Sequence, residues 1–371
     1  MSASWWDSTQ RKFWTLSKQE LSEALKKLEY DDRQLVQQYP LPEKRLLNIF
    51  FSTQIQKLGR RVTVRQQALA TAQVYLKRYY TRVEIRQTNP YLVLATAFYL
   101  ACKMEECPQH IRLIVAEGRQ TWPDLFHADI SALGETEFHL ISTLNAQLIL
   151  HHPYRSLLDL TTSTQNPNAQ SHANPHNTNN TPSSSQNNPQ SNPSAAAPTP
   201  FPLTPEETSL AWSTINDHYL TDLPLLHAPH VIAITAVFLA VALKPSSTTS
   251  QNYGSGGAAG GQAHAAAMQG ALINAGMGRG GGGGGGGYFS NAGGLTPGGG
   301  SAAGAGATAP GPQSRLAKLV TWLAESSIAV DEVVECVQEL VSLWEVWERF
   351  NEKVCKEQIA RFVKGRGLDG V

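Results

Sequence analysis

The sequence predicts an all-α chain of two tandem five-helix repeats, with an N-terminal helix and two low-complexity inserts. Three observations predict it. Outside two compositionally biased stretches, apolar residues recur at helical spacing, and period-two alternation is scarce. Two stretches, PYLVLATAFYLACK from Pro90 and PHVIAITAVFLAVA from Pro229, align without a gap. Each is followed by a short helical segment and then a long amphipathic one, so the order of elements repeats as well.

Residues 1–42 form an N-terminal segment in which Ser17 and Glu20 make a capping box, opening a helix to about Leu28. Helices follow at 43–58, 64–82, 90–105, 108–117 and 129–148, giving a first repeat over 43–150. The second repeat begins at 151–160, resumes at 206–244 and closes at 315–352, leaving 353–371 as a C-terminal tail. Thr204, Pro205 and Glu207 supply the resumption with a cap, a first-turn proline and a box glutamate. Further helices are expected to about Tyr219 and at 229–243, 314–325 and 330–352. The helices from Pro90 and Pro229 are apolar all round, as the middle of a bundle requires. In them Thr96 matches Thr235, Ala97 matches Ala236, Leu100 matches Leu239 and Ala101 matches Ala240.

The inserts stand apart by composition. Residues 161–205 contain no Lys, Arg, Asp or Glu, and residues 245–314 are mostly Gly, Ala and Ser with Arg279 as their one charge. Neither can bury enough apolar surface to offset its ordering entropy, so both are expected to be disordered. Closing a loop of the second insert's length costs only about 2 kcal/mol more than closing ten residues. It therefore reads as a loop inside the second repeat, not as a linker between domains.

Bulk numbers narrow the function classes. The 371 residues carry 30 basic and 30 acidic side chains, which disfavours a strongly basic nucleic-acid binder. The four cysteines, Cys102, Cys107, Cys336 and Cys355, make no C-x-x-C and read as reduced thiols. MSASWWDSTQRKFW lacks the apolar core of a secretory signal. The longest apolar run, VIAITAVFLAVAL, falls short of the roughly 20 residues of a spanning helix. A soluble protein of the cytosol or nucleus is expected.

Two charges interrupt the apolar patterning. Lys103, in LACKMEE, lies three after Leu100 and four after Tyr99, on what reads as a buried face. Glu137 interrupts the stripe Ile130, Leu133, Leu140, Leu144 of the helix at 129–148. Ionised groups on core faces need partners. The position matching Lys103 in the second repeat is Ala242, so a packing role would have to be unique to one copy. The plainer account is a lysine in a last helical turn, favoured by the helix dipole and neighbouring Glu105 or Glu106.

LACKMEE after an apolar helix, followed by a glutamate in ETEFHLISTLN, resembles the cyclin box, and two five-helix repeats resemble the whole cyclin fold. By that resemblance Lys103 and Glu137 are the central contacts to a cyclin-dependent kinase, with Glu135 a less favoured substitute for Glu137. SWWDSTQ, IFFSTQIQKLGRRVTVRQQALATAQVYLKRYY, HHPYRSLLDL, AWSTINDHYLTDLPLL and SLWEVWERF resemble transcriptional cyclins, nearest the cyclin C subfamily and in a fungal version. The resemblance implies a nuclear, non-catalytic activator of a kinase in the Mediator kinase module. It would associate with other module subunits and the RNA polymerase II holoenzyme, and direct phosphorylation of the polymerase tail. It implies no cofactor, no metal, no membrane and no direct nucleic acid. Trp6, Trp212 and Asn216 are candidates to line a groove between repeats for another Mediator subunit; core packing is the alternative for Trp5, Trp6 and Trp14.

Other classes fare worse. The glycine run GMGRGGGGGGGG contains G-x-G-x-x-G trivially, with no strand before it and no helix after it. H-R-D, D-F-G and H-E-x-x-H are absent. His151 and His152 are not read as a metal site. Arg65, Lys77, Arg78 and Arg82 read as a solvated face rather than a phosphate patch. A cyclin of an elongation or factor IIH kinase is the near alternative. A IIB-type factor also has two such repeats, but it needs a zinc ribbon, and neutral charge disfavours its DNA binding.

Overall fold

The computed structural model describes residues 4–161, 200–243 and 315–370, and among them every regular element is a helix. Three helices, α1 (Thr9–Trp14), α2 (Lys18–Asp31) and α3 (Arg33–Gln38), precede the first repeat. The repeat comprises α4 (Lys44–Val62), α5 (Gln66–Tyr79), α6 (Pro90–Met104), α7 (Ile111–Thr121) and α8 (Ile130–Thr143). The second repeat comprises α9 (Pro153–Thr161), α10 (Pro205–His218), the single turn α11 (Leu223–Leu226), α12 (Pro229–Leu243), α13 (Arg315–Glu325) and α14 (Val330–Glu348). Helix α15 (Glu352–Gly365) closes the chain. None of these helices is long and apolar enough to cross a membrane.

Both capping boxes form. Ser17 accepts from the Glu20 N–H at 3.1 Å, and Thr204 accepts from that of Glu207 at 3.3 Å, each glutamate bonding back to the cap. Helix α8 stops short of residue 148 because Asn145 and Ala146 adopt left-handed φ angles of 53° and 52°.

Helix α6 touches α4, α5, α7 and α8, and α12 touches α9, α10, α13 and α14. Each apolar helix is thus wrapped by four others, as its all-round hydrophobicity requires. The matched threonines make the same bond in both copies: Thr96 Oγ1 donates to Leu92 at 2.8 Å, and Thr235 Oγ1 to Val231 at 2.9 Å. Fully buried hydroxyls therefore satisfy themselves on their own helix.

Three expectations change. The stretch expected as a C-terminal tail, 353–371, carries most of helix α15, whose Cys355, Ile359, Phe362 and Val363 lie in the first repeat's core. Their spacing of four, three and one is one helix face, and Asn351 caps it by accepting from Lys353 and Val354. Of the first insert, residues 200–205 are described and its end is packed: the Phe201 N–H donates to Leu160 at 2.9 Å, and the ring is buried. Residues 162–199 and 244–314 lie outside the described residues, as do the expectations made for them. Last, the basic residues of α5 do not share a solvated face. Arg65 and Arg82 are exposed, but Lys77 is 9% and Arg78 0% exposed. Arg78 donates to Gln147 at 3.1 Å and sits 4.7 Å from the Trp14 ring centroid. Burial is tolerable there because partners from distant segments close over it.

Helix α10 ends in an opposed pair of titrating groups. Burial pulls His218 down to about 3 from 6.5, and burial raises the half-buried Asp217 to about 6 from 3.8. Below pH 6.5 the unfolded chain takes a proton that folded His218 refuses, removing up to about 1.4 kcal/mol per pH unit. Asp217 runs the other way: its contribution is full below pH 3.8 and is lost as pH rises through about 6. Asp217→Asn should therefore steepen the loss of stability between pH 6 and 4, measured by urea unfolding. An unchanged slope would show that Asp217 does not hold its proton in the folded state.

Candidate functional site

Helix α6 is aimed by its start. Asn89 caps it, accepting from the Tyr91 N–H at 3.0 Å, and Pro90 fills the first turn. From Pro90 to Phe98 every side chain is buried, and exposure returns only at Tyr99, Lys103 and Met104. Lys103 thus does not lie on a buried face, as the periodicity suggested. Its helix emerges from the bundle in the last turn, and the lysine emerges with it. Helix α8 is fixed by Asp129, which accepts from the Ala132 N–H at 2.8 Å.

These two helices bring Lys103 Nζ to 2.6 Å from Glu137 Oε1. The lysine side chain is 42% exposed and the glutamate 13%. Lys103 Nζ also lies 5.0 Å from the Tyr99 ring centroid, within cation–π range. Glu135 does not reach the lysine; it is exposed and accepts from Ser131 on its own helix at 3.3 Å. Phe138, beside Glu137, is 77% exposed, and Met104, beside Lys103, is exposed too. A charged pair rimmed by exposed apolar side chains thus stands at the surface.

The glutamates of LACKMEE do not neighbour Lys103 as the plainer account supposed. Glu105 turns inward, where Thr71 Oγ1 donates to it at 2.5 Å. Thr71 also meets His152 Nε2 at 2.8 Å, and His152 Nδ1 meets Tyr219 Oη at 2.6 Å. Burial works to raise the Glu105 carboxyl, but bonds from His152, Thr71 and Gln67 hold it below its ordinary value. Sequence reasoning missed this network, which ties the first repeat to the second and gives His152 a structural task. The signal was a histidine and a glutamate next to apolar runs, too common a pattern to single out.

The groove candidates separate into two places. Trp212 stacks on Tyr154 with centroids 4.8 Å apart, and Asn216 accepts from Tyr154 Oη at 2.7 Å and from Gln66 at 3.2 Å. Trp6 instead packs with Trp5 at 5.0 Å and His230 at 5.4 Å, under the Arg11 guanidinium. Trp14 is core: it is 2% exposed and donates to Gln147 at 2.6 Å.

Comparison with known proteins bears on this geometry. A family model described as "Cyclin, N-terminal domain" matches residues 12–149, which include both Lys103 and Glu137. The RNA polymerase II holoenzyme cyclin-like subunit of Aspergillus fumigatus is 47% identical over 372 residues, covering 100% of both chains. That of Aspergillus oryzae is 46% identical over 369 residues with the same coverage. A chain in the structure of the CAK complex from Chaetomium thermophilum bound to ATP-γ-S matches with a TM-score of 0.51. It is 16% identical, covering 96% of this chain and 87% of that one, a likeness of fold.

Proposed function

The chain belongs to the cyclin family, and on that footing we propose that it is the regulatory subunit of a cyclin-dependent kinase in the Mediator kinase module of the RNA polymerase II holoenzyme. The Lys103–Glu137 pair carries this reading, set at the surface beside exposed Phe138 and Met104. The names of the full-length relatives support the holoenzyme assignment. On this reading the protein contributes no catalytic group and works in the nucleus, and its kinase phosphorylates the tail of RNA polymerase II.

The mechanism is a population shift. A protein kinase is competent when its β3 lysine pairs with a glutamate of helix αC. A partner that binds this arrangement better than the open one moves the equilibrium toward it. Going from 1% to 99% competent requires about 5.5 kcal/mol of differential binding. One half-exposed ion pair supplies about 1 kcal/mol or less. Lys103 and Glu137 therefore act mainly by direction, offering a donor and an acceptor to the kinase backbone, while Phe138 and Met104 supply buried area. The Trp212–Tyr154–Asn216 cluster is the candidate surface for another module subunit, with Trp6 as a separate one.

The test is a pull-down from nuclear extract with wild type beside Lys103→Ala plus Glu137→Ala. Wild type should retain a cyclin-dependent kinase with Mediator subunits, and the variant should lose the kinase. A variant that kept its kinase while losing thermal stability would return the pair to a purely structural role.

A further inference from the structure

A cavity of about 170 Å³ lies between α2, α4 and α5, away from Lys103, with Asp222 of the second repeat on its wall. A dry cavity of roughly 150 Å³ is enough to admit benzene. Most of the wall is apolar: Leu25 from α2, Phe51 from α4, and Leu76 and Tyr80 at the end of α5. Two polar groups from α5 break it. Gln73 is 3% exposed, and its Oε1 has no hydrogen-bond partner. Lys77 is 9% exposed and donates no hydrogen bond to any described residue. The buried, unpartnered Gln73 oxygen is costly and asks for a donor.

The local charge gives the ligand's sign. Asp222 is the carboxylate nearest in effect to Lys77, but its oxygens are engaged, one by Lys44 at 2.8 Å and the other by Asn48 at 3.0 Å. Two ammonium groups thus share one carboxylate. Glu84 and Arg86, also on the wall, pair with each other, and Glu29 at the wall is exposed to water. Gln73 and Lys77 are four residues apart on one helix, so their side chains emerge about 5–6 Å from each other. One ligand with adjacent polar groups can reach both.

We infer that this cavity binds a small amphipathic carboxylate bearing an O–H or N–H donor next to the acid group. The carboxylate sits on Lys77, the donor on Gln73 Oε1, and the apolar body against Leu25, Phe51 and Tyr80. α-Hydroxy acids with an aromatic or branched side chain have this form. The site is independent of kinase docking, since neither Lys103 nor Glu137 lines it.

The test is calorimetric titration of the full chain with 3-phenyllactate and with 3-phenylpropionate, which lacks the hydroxyl. Wild type should bind 3-phenyllactate saturably in the millimolar range or tighter, as suits about a dozen non-hydrogen atoms. It should bind 3-phenylpropionate several-fold more weakly. Gln73→Leu should erase that preference, and Lys77→Met should weaken both acids by about tenfold. Leu25→Phe, which fills the cavity from the outer helix, should abolish binding with the fold intact by circular dichroism. Absence of saturable binding to wild type at 10-fold the expected range would show that the cavity holds water only. Equal affinity of wild type and Lys77→Met would equally overturn the assignment.

Discussion

Exchanging the two charges, Lys103→Glu together with Glu137→Lys, should leave the fold intact and abolish kinase binding. The exchanged residues can still bridge α6 to α8, because the 2.6 Å contact depends on where the helices place the side chains, not on which end is positive. With the lysine 42% exposed, the bridge contributes about 1 kcal/mol or less to stability. The melting temperature should therefore stay within a few degrees of wild type. What inverts is the polarity presented to the partner: a donor now meets a donor, and an acceptor meets an acceptor. Disrupting paired interface charges costs about 2–5 kcal/mol, or roughly 30- to 4,000-fold in affinity. Surface plasmon resonance against the purified kinase measures it. The exchange separates two roles that alanine variants confound. If the exchanged protein bound its kinase normally, the pair would serve only to join the helices.

Phe362→Ala should destabilise the protein by about 3–5 kcal/mol, measured by urea unfolding. The ring is 0% exposed and belongs to the same core as Phe50, Tyr91 and Trp122. Its removal leaves a cavity that the surrounding helices cannot easily collapse. Cys355, Ile359 and Val363 hold the helix in the same core, and polar contacts add to them. Glu352 pairs with Lys57 and accepts from Gln54 at 2.9 Å, and Arg366 donates to the Arg86 carbonyl. A loss below about 1 kcal/mol would show that α15 detaches freely and that the first repeat stands without it.

The two repeats were legible because an apolar helix needs four neighbours, and the chain supplies four helical segments around each one. Lys103 and Glu137 were both legible as charges that break an apolar stripe, but their pairing with each other was not, since Glu105 and Glu106 stood nearer to Lys103 in the sequence. Periodicity gave the angular position of Lys103 but not its height, and height decides exposure at a helix end. Lys77 and Arg78 were misread for another reason. The groups that surround them come from far along the chain, Asp222 acting on Lys77 by charge alone and Trp14 and Gln147 touching Arg78. No local window contains those partners. Helix α15 had both its cap and its apolar face in the sequence. Its many charges, such as Lys353, Lys356, Glu357, Arg361 and Lys364, hid a stripe only four residues strong.

The hydrogen bond from Phe201 to Leu160 has a consequence for how such chains diverge. The backbone leaves α9 at Thr161 and is recaptured beside it at Phe201. The second gap returns to the same neighbourhood: Arg315 lies 5.2 Å from the Phe201 ring centroid and donates to the Pro202 carbonyl at 2.6 Å. Where both ends of a gap are pinned, doubling the intervening chain changes the closure term by only about 0.6 kcal/mol. A change at Phe201 or Arg315 therefore acts on the described core beside α9, by unseating the point where the chain is recaptured.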